Sequence, residues 1–383
     1  MTRVLRDGDG RVTHIELFYD LVYVFAVTQL AHLLVTHPTL DGALRTAVLL
    51  AMVWQIWVYT TWMTNYLDPS AQAVRLALLA LMLLSLVLAA AIPEAFGSRG
   101  WLVAVVYVVT QVGRSLFAAL VLRGHRLEFV FWRAGAWCVL GAVPMLLGAT
   151  VEGHAREALW ALAVLVELGG AAMGFPTPGI GRSSTHDWTI NGAHFAERCQ
   201  AFVLIALGES IVVTGARLSE LMGAHIDSAR VAAFGAAFLG AVALWWIYFD
   251  RSAEDSARAI AATDDPGRLG RNAFHGVHPV IVAGVIVTAA ADELVIAHPD
   301  RHGVAATSWL VVGGVALFLA GHALFKYIVW RVVSWQRVIA VAVLLALLLP
   351  APHISALTLG IATLAVTIAV AAADRVQRGA LAT

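Results

Sequence analysis

Residues 193–217 read AHFAERCQAFVLIALGESIVVTGAR, an apolar run long enough to cross a bilayer that still carries Glu197, Arg198 and Glu209. At about 1.5 Å per residue the two glutamates stand roughly 18 Å apart along a helix axis. Glu197 then falls near one interface and Glu209 deep in hydrocarbon. An acid at the bilayer centre costs about 2.5 to 3.5 kcal/mol on insertion scales, so Glu209 is expected to be neutral, paired or facing water. The plainer alternative is a hydrogen-bonded glutamate that only joins helices. Against it, polar packing in membranes is usually served by hydroxyls, amides and small residues. Ser210, Thr214, Gly208 and Gly215 supply those in the same run.

The rest of the chain sets this run in a membrane protein. Of 383 residues 60% are hydrophobic and only 13% charged, the mean hydropathy is +0.80, and apolar runs repeatedly reach the roughly 20 residues needed to span. The expectation is an all-α, polytopic helical membrane protein. A formal net charge of zero points to no nucleic-acid partner. Cys138 and Cys199 fall in separate apolar runs, which indicates neither a disulfide framework nor a thiolate metal site. Without HExxH or CxxC spacing, no metal or cofactor is expected. Residues 1–14 are short and mixed in charge, and the first apolar run contains Glu16 and Asp20. No cleavable signal peptide is expected there.

Taken in order, Pro, Gly and charged residues delimit about twelve spans. They are 15–35, 44–65, 74–92, 101–122, 129–150, 155–174, 193–217, 231–249, 274–297, 308–329, 335–349 and 354–372. Leu349-Pro350-Ala351-Pro352 leaves almost no loop between the last two, which suggests a tight helical hairpin. A cytoplasmic N-terminus places Arg3, Arg6, Arg11, Arg75, Arg123, Arg126, Arg182, Arg251, Arg258, Arg268, Arg271, Arg331, Arg375 and Arg378 inside, against Arg99, Arg156, Arg217, Arg230 and Arg301 outside. That asymmetry puts both termini in the cytoplasm. Residues 250–272 then form a cytoplasmic loop, read as a solvated linker or a short surface helix.

The halves also align. Glu16 matches Glu197, Tyr66-Leu67-Asp68 matches Tyr248-Phe249-Asp250, and Trp132-Arg133-x-x-x-Trp137 matches Trp330-Arg331-x-x-x-Trp335. Interfacial Trp and Arg belts recurring at similar depths would produce part of this. Read as a repeat, it predicts residues 1–174 as one six-helix unit, 175–192 as a linker and 193–383 as a second, parallel unit, with a pathway between them.

The first span carries its own polar cluster, His14-Ile15-Glu16-Leu17-Phe18-Tyr19-Asp20. Its acids are spaced i, i+4 and share a helix face. Two carboxylates so close in low dielectric do not both stay ionised without a cationic partner, and Arg198 or His194 is the natural one. For Glu16 a helix N-terminal cap is an equally good account. Other polar groups at depth are Arg114, His275, His278, Asp292-Glu293, His322 and Lys326, the only lysine. A neutral histidine bonded to a neighbouring helix is the plainer reading of His278 and His322.

Glu16-Leu17-Phe18-Tyr19-Asp20-Leu21-Val22-Tyr23-Val24, with Glu197-Arg198, Leu207-Gly208-Glu209-Ser210 and Trp245-Trp246-x-Tyr248-Phe249-Asp250, resembles the bacterial low temperature requirement A family. The resemblance spans most of the chain. It implies a bacterial inner-membrane protein whose founding member is linked to growth in the cold, and it implies no substrate or reaction. Phe18-x-Asp20-x-Val22-Tyr23-x-x-x-x-Thr28 is similar to the first helix of the endosomal and lysosomal potassium channel family, which implies ion conduction. Its second-half equivalent is missing, because Ala201 and Phe202 follow Gln200, and no TVGYG-like filter occurs.

The leading expectation is an ion- or proton-coupled transporter or a channel in the bacterial cytoplasmic membrane. Asp20 and Glu209 would line the path, Glu16, Glu197, Arg198 and Ser210 would flank it, and His14, His194, Asp250, His278 and His322 are secondary candidates. The competing expectation is an intramembrane enzyme acting on a lipid or isoprenoid, with Asp20 or Glu209 as general acid. A structural or stress-related membrane protein without transport is a third. The partners implied are the lipid bilayer and protons, inorganic cations or a small hydrophobic substrate, with homo-oligomerisation left open.

Overall fold

A computed structural model describes residues 4–6, 11–188, 190–221, 227–249 and 252–382. In chain order the helices are α1 (His14–Thr36), α2 (Leu40–Tyr66), α3 (Gln72–Ala91), α4 (Gly100–Val121), α5 (Glu128–Ala149), α6 (His154–Met173) and α7 (Gly192–Leu221), followed by α8 (Ser228–Phe249), α9 (Ser252–Ala262), α10 (Pro266–Leu269), α11 (Gly276–Ala297), α12 (Ala305–Trp330), α13 (Trp335–Ala346) and α14 (Ala356–Ala382). Among the described residues β-structure is limited to isolated bridges. Helices satisfy each backbone group within their own segment, as lipid requires.

Ten helical stretches of the described residues are long and apolar enough to span, two fewer than the twelve read from the sequence. The two left out have physical reasons. Helix α6 has 20 residues but carries Arg156, Glu157 and Glu167. Helix α13 has 12 residues, so at about 18 Å it is shorter than a hydrocarbon core of about 30 Å. Outward faces are apolar. On α5, Leu140, Val143 and Leu147 are more than half exposed while Cys138, Gly141 and Met145 on the other side are buried.

The chain divides into two compact units. One comprises Met1–Leu30, Leu44–Ala201 and Ile260–His275, the other Ala31–Ala43, Phe202–Ala259 and Gly276–Thr383. In the first, α3, α4, α5 and α6 pack successively on one another. Gly174 ends α6 at φ 75°, a left-handed cap that glycine adopts without strain. A Cβ there would lie 2.1 Å from the Ser183 carbonyl oxygen, so the chain turns back on itself where only glycine fits. In the second unit α11 and α12 meet through glycines. A Cβ on Gly284 would lie 2.5 Å from the backbone of Phe318, and one on Gly314 would lie 2.5 Å from the Thr288 hydroxyl. Small residues of this kind let membrane helices approach backbone to backbone.

One expectation is narrowed. Of the two forms read for the stretch after Asp250, the solvated linker gives way to the short helix, which turns Arg258 outward and buries part of its other face. Ile260 and Ser256 on α9 are buried, and Ile260 occupies the space that a side chain at Gly192 would need. Asp265 is buried too, accepting hydrogen bonds from the Thr185 hydroxyl at 2.7 Å and the Arg268 backbone N–H at 3.0 Å. A π-helical turn, Gly270–His275, then leads into α11.

Candidate functional site

In the first unit α1, α2 and α7 bring the sequence's charged residues to one point. Arg198 grips Asp20 with both ends of its fork, Nε to Oδ2 at 3.0 Å and Nη2 to Oδ1 at 2.6 Å. Trp57 Nε1 donates to the same Oδ1 at 2.7 Å. The second arm of Arg198 reaches Glu16 Oε1 at 3.1 Å and the Thr64 hydroxyl at 3.3 Å. Glu16 is also held by Arg6, through contacts of 3.1 Å to each carboxylate oxygen, and by the Thr13 backbone N–H and hydroxyl, each at 2.9 Å. Glu16, Asp20, His194 and Arg198 are all 0% exposed.

Two guanidiniums face two carboxylates, so the cluster is neutral with a neutral His194. Both ring nitrogens of His194 have polar neighbours. The Asn191 backbone N–H donates to Asn65 Oδ1 at 2.8 Å, which turns the Asn65 amide nitrogen towards His194 Nδ1 at 3.0 Å. His194 Nε2 lies 2.8 Å from Glu16 Oε1 and 2.9 Å from Arg6 Nη1, so the imidazole sits between the carboxylate and the guanidinium. Bidentate, charge-assisted contacts of this kind are strong, and breaking a buried pair by removing one partner costs about 3 to 5 kcal/mol. Adding a proton to either carboxylate would leave one guanidinium without its counter-charge.

The same helices extend the network. Tyr19 donates to the Thr60 hydroxyl at 3.0 Å, lies 2.6 Å from the Tyr23 hydroxyl, and Tyr23 reaches Ser85 on α3 at 3.1 Å. Sequence reasoning missed a further buried acid in this unit. Glu167 on α6 accepts from Tyr107 at 2.8 Å and Gln111 at 2.5 Å, and Gln111 in turn accepts from Arg114 at 2.6 Å. The signal was there, since a glutamate in an apolar run such as α6 needs partners on adjacent helices. Arg6 was missed because it precedes the first span.

A family model described as bacterial low temperature requirement A protein matches residues 11–372. The chain belongs to that family, LtrA. A relative from Rhizobium meliloti (strain 1021), named uncharacterized protein RA0937, is 36% identical over 333 residues, covering 86% of this chain and 81% of its own. No solved structure matches. With its apolar helices, the LtrA chain is a multi-pass integral membrane protein.

The remaining candidates of this LtrA chain lie apart from the cluster. Glu197, next to buried Arg198, is exposed and its carboxylate accepts from the Val12 backbone N–H at 3.4 Å. His14 is exposed. Glu209 and Ser210 are buried in the second unit, where the Thr214 hydroxyl donates to the Ser210 carbonyl. Gly208 and Gly215 have open space beside them among the described residues. His278 bonds the Tyr248 hydroxyl at 2.8 Å. Arg337 donates to His322 Nδ1 at 3.1 Å and pairs with Asp374 at 2.6 and 3.1 Å. Asp250 lies outside the described residues.

Proposed function

We propose that the protein is a proton- or cation-coupled transporter, or a channel, of the bacterial cytoplasmic membrane, and that the Glu16, Asp20 and Arg198 cluster is its protonation-dependent latch. The observation that carries this reading is the fully buried, two-pronged hold of Arg198 on Asp20 within spanning helices. Intramembrane ionisable groups are costly and mark ion and proton paths. Protonating Asp20 or Glu16 cancels one carboxylate charge, and the surplus guanidinium must then move or find another anion. Glu197 stands at the exposed end of this arrangement, and Glu209 with Ser210 forms a second polar position along the same helix. The two-repeat arrangement belongs to the proposal. Its support is that Glu16 meets His194 while Asp20, one turn on, meets Arg198, one turn on, as two helices running the same way would do.

The test is flux in proteoliposomes under imposed proton and alkali-cation gradients. Wild type should conduct or exchange one of these ions with a pH dependence that Asp20→Asn removes. An absence of proton, Na+ and K+ flux in wild type, or an unchanged pH dependence in Asp20→Asn, would overturn the reading.

A second reading has one observation in its favour. A narrow cleft of about 50 Å3 in the first unit is lined by Tyr59, Trp62, Phe131, Phe175 and Trp188 with Arg114, Arg271 and His275. Its apolar, aromatic wall suits a small hydrophobic substrate. No carboxylate is among its lining residues, so an enzyme working there would use His275 rather than Asp20 or Glu209 as its acid.

A further inference from the structure

The second unit contains an acid that the latch does not use. Asp292 lies on spanning helix α11, and among the described residues it makes no hydrogen bond or ion pair. It lines a cavity of about 40 Å3, room for one ion or water, between α8, α11, α12 and α14. Thr288 stands one turn before it on α11, and Thr363 and Thr367, also one turn apart, line the cavity from α14. The α8 side is Ala233, Ala236, Ala237 and Gly240, whose small side chains leave the room.

The chemistry of these groups is one-sided. Thr288 spends its hydroxyl proton on the Gly284 carbonyl at 2.8 Å, and Thr367 spends its own on the Thr363 carbonyl at 2.8 Å. Both oxygens are left with lone pairs only. The Thr363 hydroxyl is buried and has no hydrogen-bond partner. Among the described residues no other ionisable side chain lines the cavity from any of the four helices. The cavity therefore presents a single carboxylate and hydroxyl oxygens, a hard oxygen donor set carrying one formal negative charge.

We propose that Asp292, Thr288, Thr363 and Thr367 form a binding site for a monovalent alkali cation of Na+ type. Oxygen ligands suit hard cations. A single carboxylate balances one positive charge and leaves a divalent ion undercompensated in low dielectric, while an anion would meet the like charge of Asp292 with one hydroxyl proton, that of Thr363, to offset it. The site goes beyond the latch of the first unit, and binding at it can be read without any transport.

The experiment uses the full chain in detergent at pH 8, with its melting temperature followed against NaCl at ionic strength held constant with choline chloride. A cation that binds only the folded state raises Tm with a saturable dependence on its concentration. Wild type should show that rise, Asp292→Asn should lose it, and Thr363→Ala should weaken the apparent affinity several-fold while keeping the choline-only Tm. Equilibrium binding of 22Na+ should follow the same order. Asp20→Asn should leave Na+ binding intact, which separates failure of this site from failure of the latch. Absence of saturable Na+ binding in wild type, or binding that survives Asp292→Asn, would overturn the proposal. So would a Tm that responds to pH alone, which would make Asp292 a proton site.

Discussion

Arg198 carries more of the buried charge balance than any other side chain. Its planar fork satisfies Asp20, Glu16 and Thr64 together, and an ammonium on a flexible stem cannot reproduce that geometry. Arg198→Lys should therefore lower thermal stability in detergent, and Arg198→Ala should cost about 3 to 5 kcal/mol. Removing the charges in pairs, as in Asp20→Asn with Arg198→Gln, should recover part of the loss, because no charge is then left buried alone. A double variant no more stable than Arg198→Ala would show that the fork positions helices rather than balances charge. Glu209 poses a different question. Glu209→Gln keeps size and hydrogen bonding but removes titration, so it should insert and fold normally and lose any pH dependence of flux. If the glutamate only packs, that dependence survives, and Glu209→Leu mainly lowers stability.

Two short elements make sharper demands than the long spans. Asp265 caps α10 through the Arg268 N–H. Burial pushes its carboxyl pKa up, but the hydrogen bonds from Thr185 and Arg268, with His186 and the Arg268 guanidinium nearby, outweigh that and hold it below the usual range. A group lowered on folding contributes stability above its unfolded value of about 3.9, and the contribution is lost as pH falls through the lower folded value. Melting temperature followed from neutral pH to about pH 3 should drop less steeply in Asp265→Asn. At neutral pH that variant should lose about 1 kcal/mol, the scale of an N-cap bond. At the α11–α12 contact, Gly284→Ala must displace the Phe318 backbone rather than a flexible side chain. It should cost about 1 to 3 kcal/mol, and an unchanged melt would mean that the helices separate there at little cost.

For the complete chain the testable expectation is topology. With both termini in the cytoplasm, a cysteine at Glu152, between α5 and α6, should react with a membrane-impermeant maleimide in whole cells. One at His125, between α4 and α5, should react only after the membrane is opened. The native Cys138 and Cys199 are buried, which keeps the background low, and the reverse labelling pattern would invert the orientation. Much of this architecture was legible in composition, because the hydrocarbon core sets a length and a polarity that any spanning helix must meet. Helices α1 to α8 begin and end within a few residues of the apolar runs for that reason. The need of Glu16 and Asp20 for a cation was legible too, since like charges one turn apart in low dielectric cannot stand alone. What needed tertiary structure was every decision made by residues far apart in the chain. It chose Arg198, with Arg6 and Trp57, as partners for those acids, buried Ile260 and Asp265 in a stretch whose polarity alone suggested the surface, and left Asp292 lining a cavity with hydroxyl oxygens instead of a guanidinium. Periodicity and hydropathy report what one helix needs from its surroundings, whereas which helix supplies it depends on packing, and packing has no local signature in sequence.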